Sequence, residues 1–339
     1  MEIQKRLALI ARNTEELVVK EELLELLKKK KQPAVYLGWS ITGRPHIGYY
    51  IPVLKLADFL KAGCKVKLLL ADLHGALDKT PWEVLEKRYQ YYYKTIPLMF
   101  ASIGVDIQNF EIIKGSDFQL SRKYFLDLLK LSSLVSTNDA RRAGSEVVKY
   151  SDNPRLGGLL YPLMQSLDEE YLEVDIQYGG IDQRKILMFA RENMPKLGYK
   201  RRVEIMTPLI PGLFGKKMSA SIPESKIDLL DDEQTVINKL KGAYCEPGKV
   251  EDNGVLSFLK YVVMVLKQDK GEKLVIERPE KFGGNLTFNS YSEIEDLFLK
   301  KNIHPLDMKN AVAREINSLL AVFRKNSRKL EELAKEGYD

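Results

Sequence analysis

The sequence predicts an α/β protein in which a doubly wound parallel sheet precedes a mainly helical C-terminal region. Three observations carry this. First, short apolar runs alternate with longer amphipathic ones between about residues 34 and 210, the βαβ pattern of a parallel sheet. Second, "AVYLGW", "IGYYIPVLKLADFLKAG" and "KVKLLLAD" read as strand, helix and strand within about 40 residues. Third, after "ESKIDLLDD" helical patterns take over.

Taken in order, residues 1–31 read as one or two amphipathic helices ending in Lys28, Lys29, Lys30 and Lys31, a solvated helix end. Beyond the first βαβ unit, "NFEIIKG" reads as a strand and "YFLDLLKLSSLVSTNDARRAGSEVV" as one long helix. "VDIQYGG" is a strand, "DQRKILMFARENM" a helix, and "RVEIMTPLI" a last strand. The ligand of such a sheet is expected beyond the carboxyl ends of its strands. A boundary near residue 232 divides an α/β part, 1–232, from a helical part, 233–339. In the latter, "EQTVINKLKGAY", "VLSFLKYVVMVLKQ", "NSYSEIEDLFLKK" and the long "LDMKNAVAREINSLLAVFRKNSRKLEELAKE" read as helices. Residues 233–339 hold 18 basic and 17 acidic side chains, so RNA binding there would depend on placed side chains, not on bulk charge.

Composition fits a soluble globular protein: 339 residues, 45% hydrophobic, 29% charged. The net charge of +6 permits a nucleic-acid partner. Two distant cysteines and three histidines are too few for a zinc finger or a disulfide framework, which fits a reducing, cytoplasmic setting. No run approaches the ~18 apolar residues of a membrane span, and the first residues lack the apolar core of a signal peptide.

Two stretches carry chemistry. In "YLGWSITGRPHIGYY", a strand breaks at Thr42-Gly43-Arg44-Pro45 and a helix starts at His46-Ile47-Gly48. A helix start collects backbone N–H groups and a positive dipole end, which suits phosphate. Glycine at 48 lets a flat ligand approach the backbone. The loop "GLFGKKMSAS", residues 212–221, offers glycines, lysines and serines that could fold over a triphosphate. Neither a P-loop nor a G-x-G-x-x-G fingerprint is present.

Together "HIGY" at 46–49 and "KMSAS" at 217–221, about 170 residues apart, resemble the HIGH and KMSKS signatures of class I aminoacyl-tRNA synthetases. The stretches "FLKAGCKVKLLLADLHGALD", "LLYPLMQSLDEEYLEVDIQYGGIDQRK", "CEPGKVEDNGVLSFLK" and "RPEKFGGNLT…HPLDMKNAV" are similar to tyrosyl-tRNA synthetases of the archaeal and eukaryotic cytosolic type. The resemblance covers nearly the whole chain and implies a Rossmann-like catalytic domain joined to a helical anticodon-binding domain. Two departures are Tyr49 in place of the last histidine of HIGH and Ala220 in place of the second lysine of KMSKS. Lys216 is a candidate to supply the missing charge.

The resemblance implies tyrosine, ATP with Mg²⁺, and tRNA(Tyr) as substrates, no resident metal, and a homodimer. Tyr161, Gln165 and Gln183 would hold the ammonium group, Asp168 and Tyr36 the phenol hydroxyl, and His74 would line the same pocket. Tyr161, Gln165 and Asp168 are spaced by four and three, one face of a helix. A buried aspartate without a partner is costly, so a phenylalanine guest would be rejected and a phenol accepted. His46, Gly48, Gly180, Asp182, Ile210 and Lys217 would bind ATP, with His46, Lys217 and Ser221 stabilising the phosphoryl transition state. Phe282 and His304 would flank the first anticodon base and Asp307 would read it. Arg141, Arg142 and Arg184 are candidates for the acceptor stem. The alternatives are a tryptophanyl-tRNA synthetase of the same fold, an inactive synthetase-like RNA-binding protein, and a nucleotidyltransferase without RNA.

Overall fold

The computed structural model describes residues 1–213 and 226–338. Strand β1 (Glu16–Leu17) is followed by β2 (Ala34–Ser40), β3 (Lys65–Ala71), β4 (Phe110–Lys114), β5 (Ile176–Gly180) and β6 (Val203–Thr207). They form one sheet in the order β1-β6-β5-β2-β3-β4, parallel except for the edge strand β1. Val35 of β2 is in register with Val66 of β3 and Ile176 of β5, and all three are fully buried. Sheets covered by helices on both faces need such apolar strands. Burying each of these side chains contributes about 1.5–3 kcal/mol.

The chain leaves β2 toward β3 and β4 and later returns to build β5 and β6 on the other side. The crossover helices are Tyr50–Lys61 and Leu85–Ile103 on the outward path and Leu156–Tyr171 and Arg184–Asn193 on the return. The strand order therefore reverses between β2 and β5, where a crevice opens beyond the carboxyl ends.

The long helix expected over 124–148 is two helices, Arg122–Leu134 and Thr137–Gly144. Val135 is extended, and Ser136 starts the second helix with a reciprocal capping box to Asp139. That box satisfies two helix-end donors and favours a restart over continuation. The long C-terminal stretch also divides, into Pro305–Lys325 and Ser327–Tyr338, at Asn326. A hairpin of β7 (Leu274–Ile276) and β8 (Leu286–Phe288) was not expected from the sequence. Gly283 and Gly284, both at positive φ, shape its loop. Arg278 staples that loop, donating to the carbonyls of Gly284 and Asn302.

One apolar core runs on past residue 232. Tyr50, Phe59 and Phe100 belong to the same buried cluster as Phe298, Leu320 and Phe323. A polar staple joins the same parts: the Arg12 guanidinium pairs with Asp58 and Asp269. Among the described residues no helix is long and apolar enough to cross a membrane.

Candidate active site

Two adjoining cavities occupy the crevice between β2 and β5. The smaller, about 180 Å³, is lined by Tyr36, His74, Tyr161, Gln165, Asp168 and Gln183 among others. The larger, about 310 Å³, is lined by His46, Gly48, Gly180, Asp182, Gln183 and Ile210 among others. Gly38, Trp39, Tyr49 and Gln183 border both. The residues expected at the amino acid thus line the smaller cavity together, and the described residues expected at ATP line the larger one. Lys217 and Ser221, with Lys216 and Ala220, lie outside the described residues.

The smaller cavity ends on a buried polar cluster. Asp168 projects from the helix Leu156–Tyr171 and is 1% exposed. Its Oδ1 accepts from Gln119 Nε2 and Tyr124 Oη, each at 2.8 Å. Its Oδ2 is buried without a hydrogen-bond partner, as is His74 Nε2, 3.8 Å away. Burial pushes the Asp168 carboxyl up to about 7, against the two donors, and pushes His74 down to about 4. The Tyr36 hydroxyl donates to the Gln165 carbonyl at 3.1 Å. In this state it offers a guest an acceptor, and by rotating it offers a donor. The Tyr161 ring packs edge-on against His74, with centroids 4.6 Å apart. Gln165 Nε2 donates to Gln183 Oε1 at 3.0 Å, where the two cavities meet.

In the larger cavity His46 caps the short turn Ile47–Tyr49 that leads into the helix Tyr50–Lys61. Its Nδ1 accepts from the Gly48 N–H at 3.1 Å. That bond places the proton of the neutral ring on Nε2, which makes Nε2 a donor. Burial, with the nearby Lys226 ammonium, holds the His46 pKa down at about 3. Tyr49 packs edge-on against His46 and Trp39, and its hydroxyl meets that of Tyr92 at 3.0 Å. It fills and braces where the HIGH pattern has imidazole. A Cβ on Gly180 would stand 2.6 Å from Asp182 Oδ1, so a larger residue here would have to push that carboxylate aside. The Ile47 N–H donates to the Ile227 carbonyl and Arg44 pairs with Asp228. These contacts tie the signature turn to the residues that follow the lysine-serine motif in sequence.

A third cavity, about 1010 Å³, lies in the C-terminal part and is lined by Phe282, His304 and Asp307. Phe282 is 61% exposed, on the hairpin loop. His304 caps the helix Pro305–Lys325, its Nδ1 accepting from Leu306 N–H. The acceptor-stem candidates are all at the surface. Among the described residues Arg141 makes no hydrogen bond or ion pair, Arg142 pairs with Asp139, and Arg184 makes two bonds to Glu16.

Sequence reasoning missed Gln119 and Tyr124, the two donors that hold Asp168. Gln119 follows the carboxyl end of β4, a position that the sheet rule marks as a site. Tyr124 is a buried aromatic on the inner face of an amphipathic helix, and nothing in the sequence separates it from ordinary core.

Comparison with known proteins agrees with this geometry. The description "tRNA synthetases class I (W and Y)" matches residues 28–321. A cytoplasmic tyrosine–tRNA ligase of Gallus gallus is 49% identical over 99% of this chain, which spans 63% of that protein's length. A tyrosine–tRNA ligase of Natronomonas pharaonis is 45% identical over 96% of this chain and 94% of its own. The crystal structure of tyrosyl-tRNA synthetase complexed with L-tyrosine from Archaeoglobus fulgidus is 40% identical, with a TM-score of 0.88 over 96% of this chain and 99% of that one. With the crevice, the paired cavities and the HIGH-like turn in place, the chain belongs to the class I tRNA synthetases for tryptophan and tyrosine, among the tyrosyl members of archaeal and eukaryotic cytoplasmic type.

Proposed function

We propose that this protein is a tyrosine–tRNA ligase: it joins tyrosine to ATP as tyrosyl-adenylate and passes the tyrosyl group to the 3′ end of tRNA(Tyr). The observation that carries the reading is the unpartnered Asp168 Oδ2 at the end of a cavity of about 180 Å³. A phenol hydroxyl can both donate to that oxygen and accept from a neighbour such as Tyr36 or His74. An indole offers a donor only, and phenylalanine neither.

In the proposed reaction the tyrosine carboxylate attacks the α-phosphorus of ATP in line and pyrophosphate leaves. The carboxylate is already a nucleophile, so catalysis is positioning and charge stabilisation. Gln165, Gln183 and Tyr161 hold the ammonium end at the junction of the cavities. Neutral His46 donates from Nε2 to a phosphate oxygen. Gly180 and Asp182 take the ribose and Ile210 borders the adenine. Lys217 and Ser221 meet the departing pyrophosphate, and Mg²⁺ arrives with ATP as part of the substrate.

The segment 233–339 is assigned to the anticodon, with Phe282 and His304 stacking on its first base and Asp307 accepting from a guanine. Cytoplasmic location fits relatives so named and the two buried free cysteines, Cys64 and Cys245. A homodimer is supported by the helix Arg122–Leu134, which exposes Phe125, Leu126 and Leu129 at 50–58%. An apolar stripe of this kind suits burial against a second copy. Leu129→Glu should then sediment as a monomer, and a parent that is itself monomeric refutes the dimer. Tyrosine-dependent ATP–pyrophosphate exchange, run against tryptophan, tests the central activity. Exchange with tryptophan alone, or with neither, overturns the reading.

A further inference from the structure

We propose that Arg88 and Tyr338 are positioning residues for the phosphoryl-transfer step, holding the turn Thr42–Pro45 that presents His46. This rests on the proposed reading of the His46 cavity as the ATP site.

The turn lies between β2 and the helix start and belongs to neither. Its carbonyls have no strand or helix ladder to join, so they need donors from elsewhere. Side chains supply them. Arg88 Nη1 donates to the Thr42 carbonyl. The hydroxyls of Tyr92 and Tyr338 both donate to the Gly43 carbonyl, the latter at 3.3 Å. Gly43 O thus uses both of its lone pairs.

Arg88 is itself held by the end of the last helix. Its Nε donates to the Gly337 carbonyl at 2.8 Å, and its guanidinium stacks 4.6 Å from the centroid of the Tyr338 ring. Gly337 allows this approach: a Cβ there would stand 3.2 Å from Arg88 Cγ and 3.4 Å from its backbone nitrogen. The Tyr91 ring also packs edge-on against Tyr338, with centroids 5.8 Å apart. The result is a closed loop of contacts from Gly43 through Tyr338 and Arg88 to Thr42. A second brace comes from Tyr92, whose hydroxyl touches both Gly43 O and the Tyr49 hydroxyl.

Neither Arg88 nor Tyr338 lines either active-site cavity. Their effect must pass through the backbone three to four residues before His46. Small misplacement of a group that acts on the transition state costs rate far more than it costs ground-state binding. The tyrosine cavity borders the turn only at Thr42. Loosening it should therefore slow adenylate formation and spare tyrosine affinity.

The test is tyrosine-dependent ATP–pyrophosphate exchange on the full chain as Tyr338→Ala, Tyr338→Phe and Arg88→Lys, beside equilibrium binding of tyrosine alone. For Tyr338→Ala kcat should fall about tenfold or more while the tyrosine Kd stays within about twofold. Tyr338→Phe keeps the ring under Arg88 and should recover most of the rate. If Tyr338→Ala does not fold, Arg88→Lys carries the same test, because lysine cannot bridge Thr42 and Gly337 as the guanidinium does. Folded variants with kcat within about twofold of the parent, or with losses in kcat and tyrosine affinity that run in step, overturn the proposal. A parent active with tyrosine beside such variants overturns this inference alone. A parent with no tyrosine-dependent exchange overturns the functional reading and this inference with it.

Discussion

Asp168 Oδ2 and His74 Nε2 face each other at 3.8 Å, both buried and both without a hydrogen-bond partner. Each unpaired buried group costs about 1–3 kcal/mol. A fold keeps such atoms open where a ligand completes them. Gln119 and Tyr124 occupy the other carboxylate oxygen and so fix which one is left for the guest.

With no guest bound, the buried carboxylate should strain the fold. The folded pKa of Asp168, about 7, is above the ordinary value near 4. The fold therefore favours the protonated acid, and that contribution is present at acid pH and lost as pH rises from about 4 through 7. Asp168→Asn should stabilise the ligand-free protein at pH 8 by about 1–4 kcal/mol, with the gain fading toward pH 4. Urea unfolding at both pH values reads this. A variant less stable than the parent at pH 8 contradicts it.

His46 should act as a neutral donor. Its folded pKa, about 3, is below the unfolded value near 6.5. The stability it contributes is complete above about 6.5 and is lost as pH falls toward 3, because the unfolded chain binds the proton first. The exchange rate should show no inflection from this ring between pH 6 and 8.5. His46→Ala should lower exchange kcat by roughly 10²- to 10³-fold with tyrosine binding unchanged. An inflection near pH 6.5 that disappears in His46→Ala would refute the neutral role.

Asp307 should matter for RNA and not for adenylate. It lies in the cavity shared with Phe282 and His304, in the C-terminal part of the chain. Asp307→Ala should lower kcat/KM for tRNA aminoacylation by roughly 10- to 100-fold and leave exchange intact. Equal loss in both assays would place the residue in folding and not in recognition.

Much of this was legible in the sequence. Parallel strands announced themselves as apolar runs because both faces are covered, and Tyr161, Gln165 and Asp168 shared a helix face by spacing alone. The helix break at Val135–Ser136 could have been read from Ser136 and Asp139, a capping pair that an apolar periodicity hides. The β7–β8 hairpin could not: three-residue strands carry almost no periodicity, and the Arg278 staple is a tertiary contact. Tyr124 was hidden for the same reason. Its hydroxyl finds Asp168 from 44 residues away, and its exposed neighbours Lys123 and Phe125 give no sign of that contact. The motif pair points to a nucleotide site as an expectation, yet the contact of Arg88 with the end of the helix Ser327–Tyr338 joins residues about 250 apart, beyond any local pattern.

The central claim is that the open oxygen of Asp168 selects a phenol. The most direct measurement is ATP–pyrophosphate exchange with tyrosine, phenylalanine and tryptophan in parallel, compared as kcat/KM. The account predicts exchange with tyrosine and a loss of roughly 10²-fold or more with phenylalanine, which leaves the buried acceptor and its neighbour unpaired, and with tryptophan as well. Phenylalanine or tryptophan supporting exchange as well as tyrosine would contradict it.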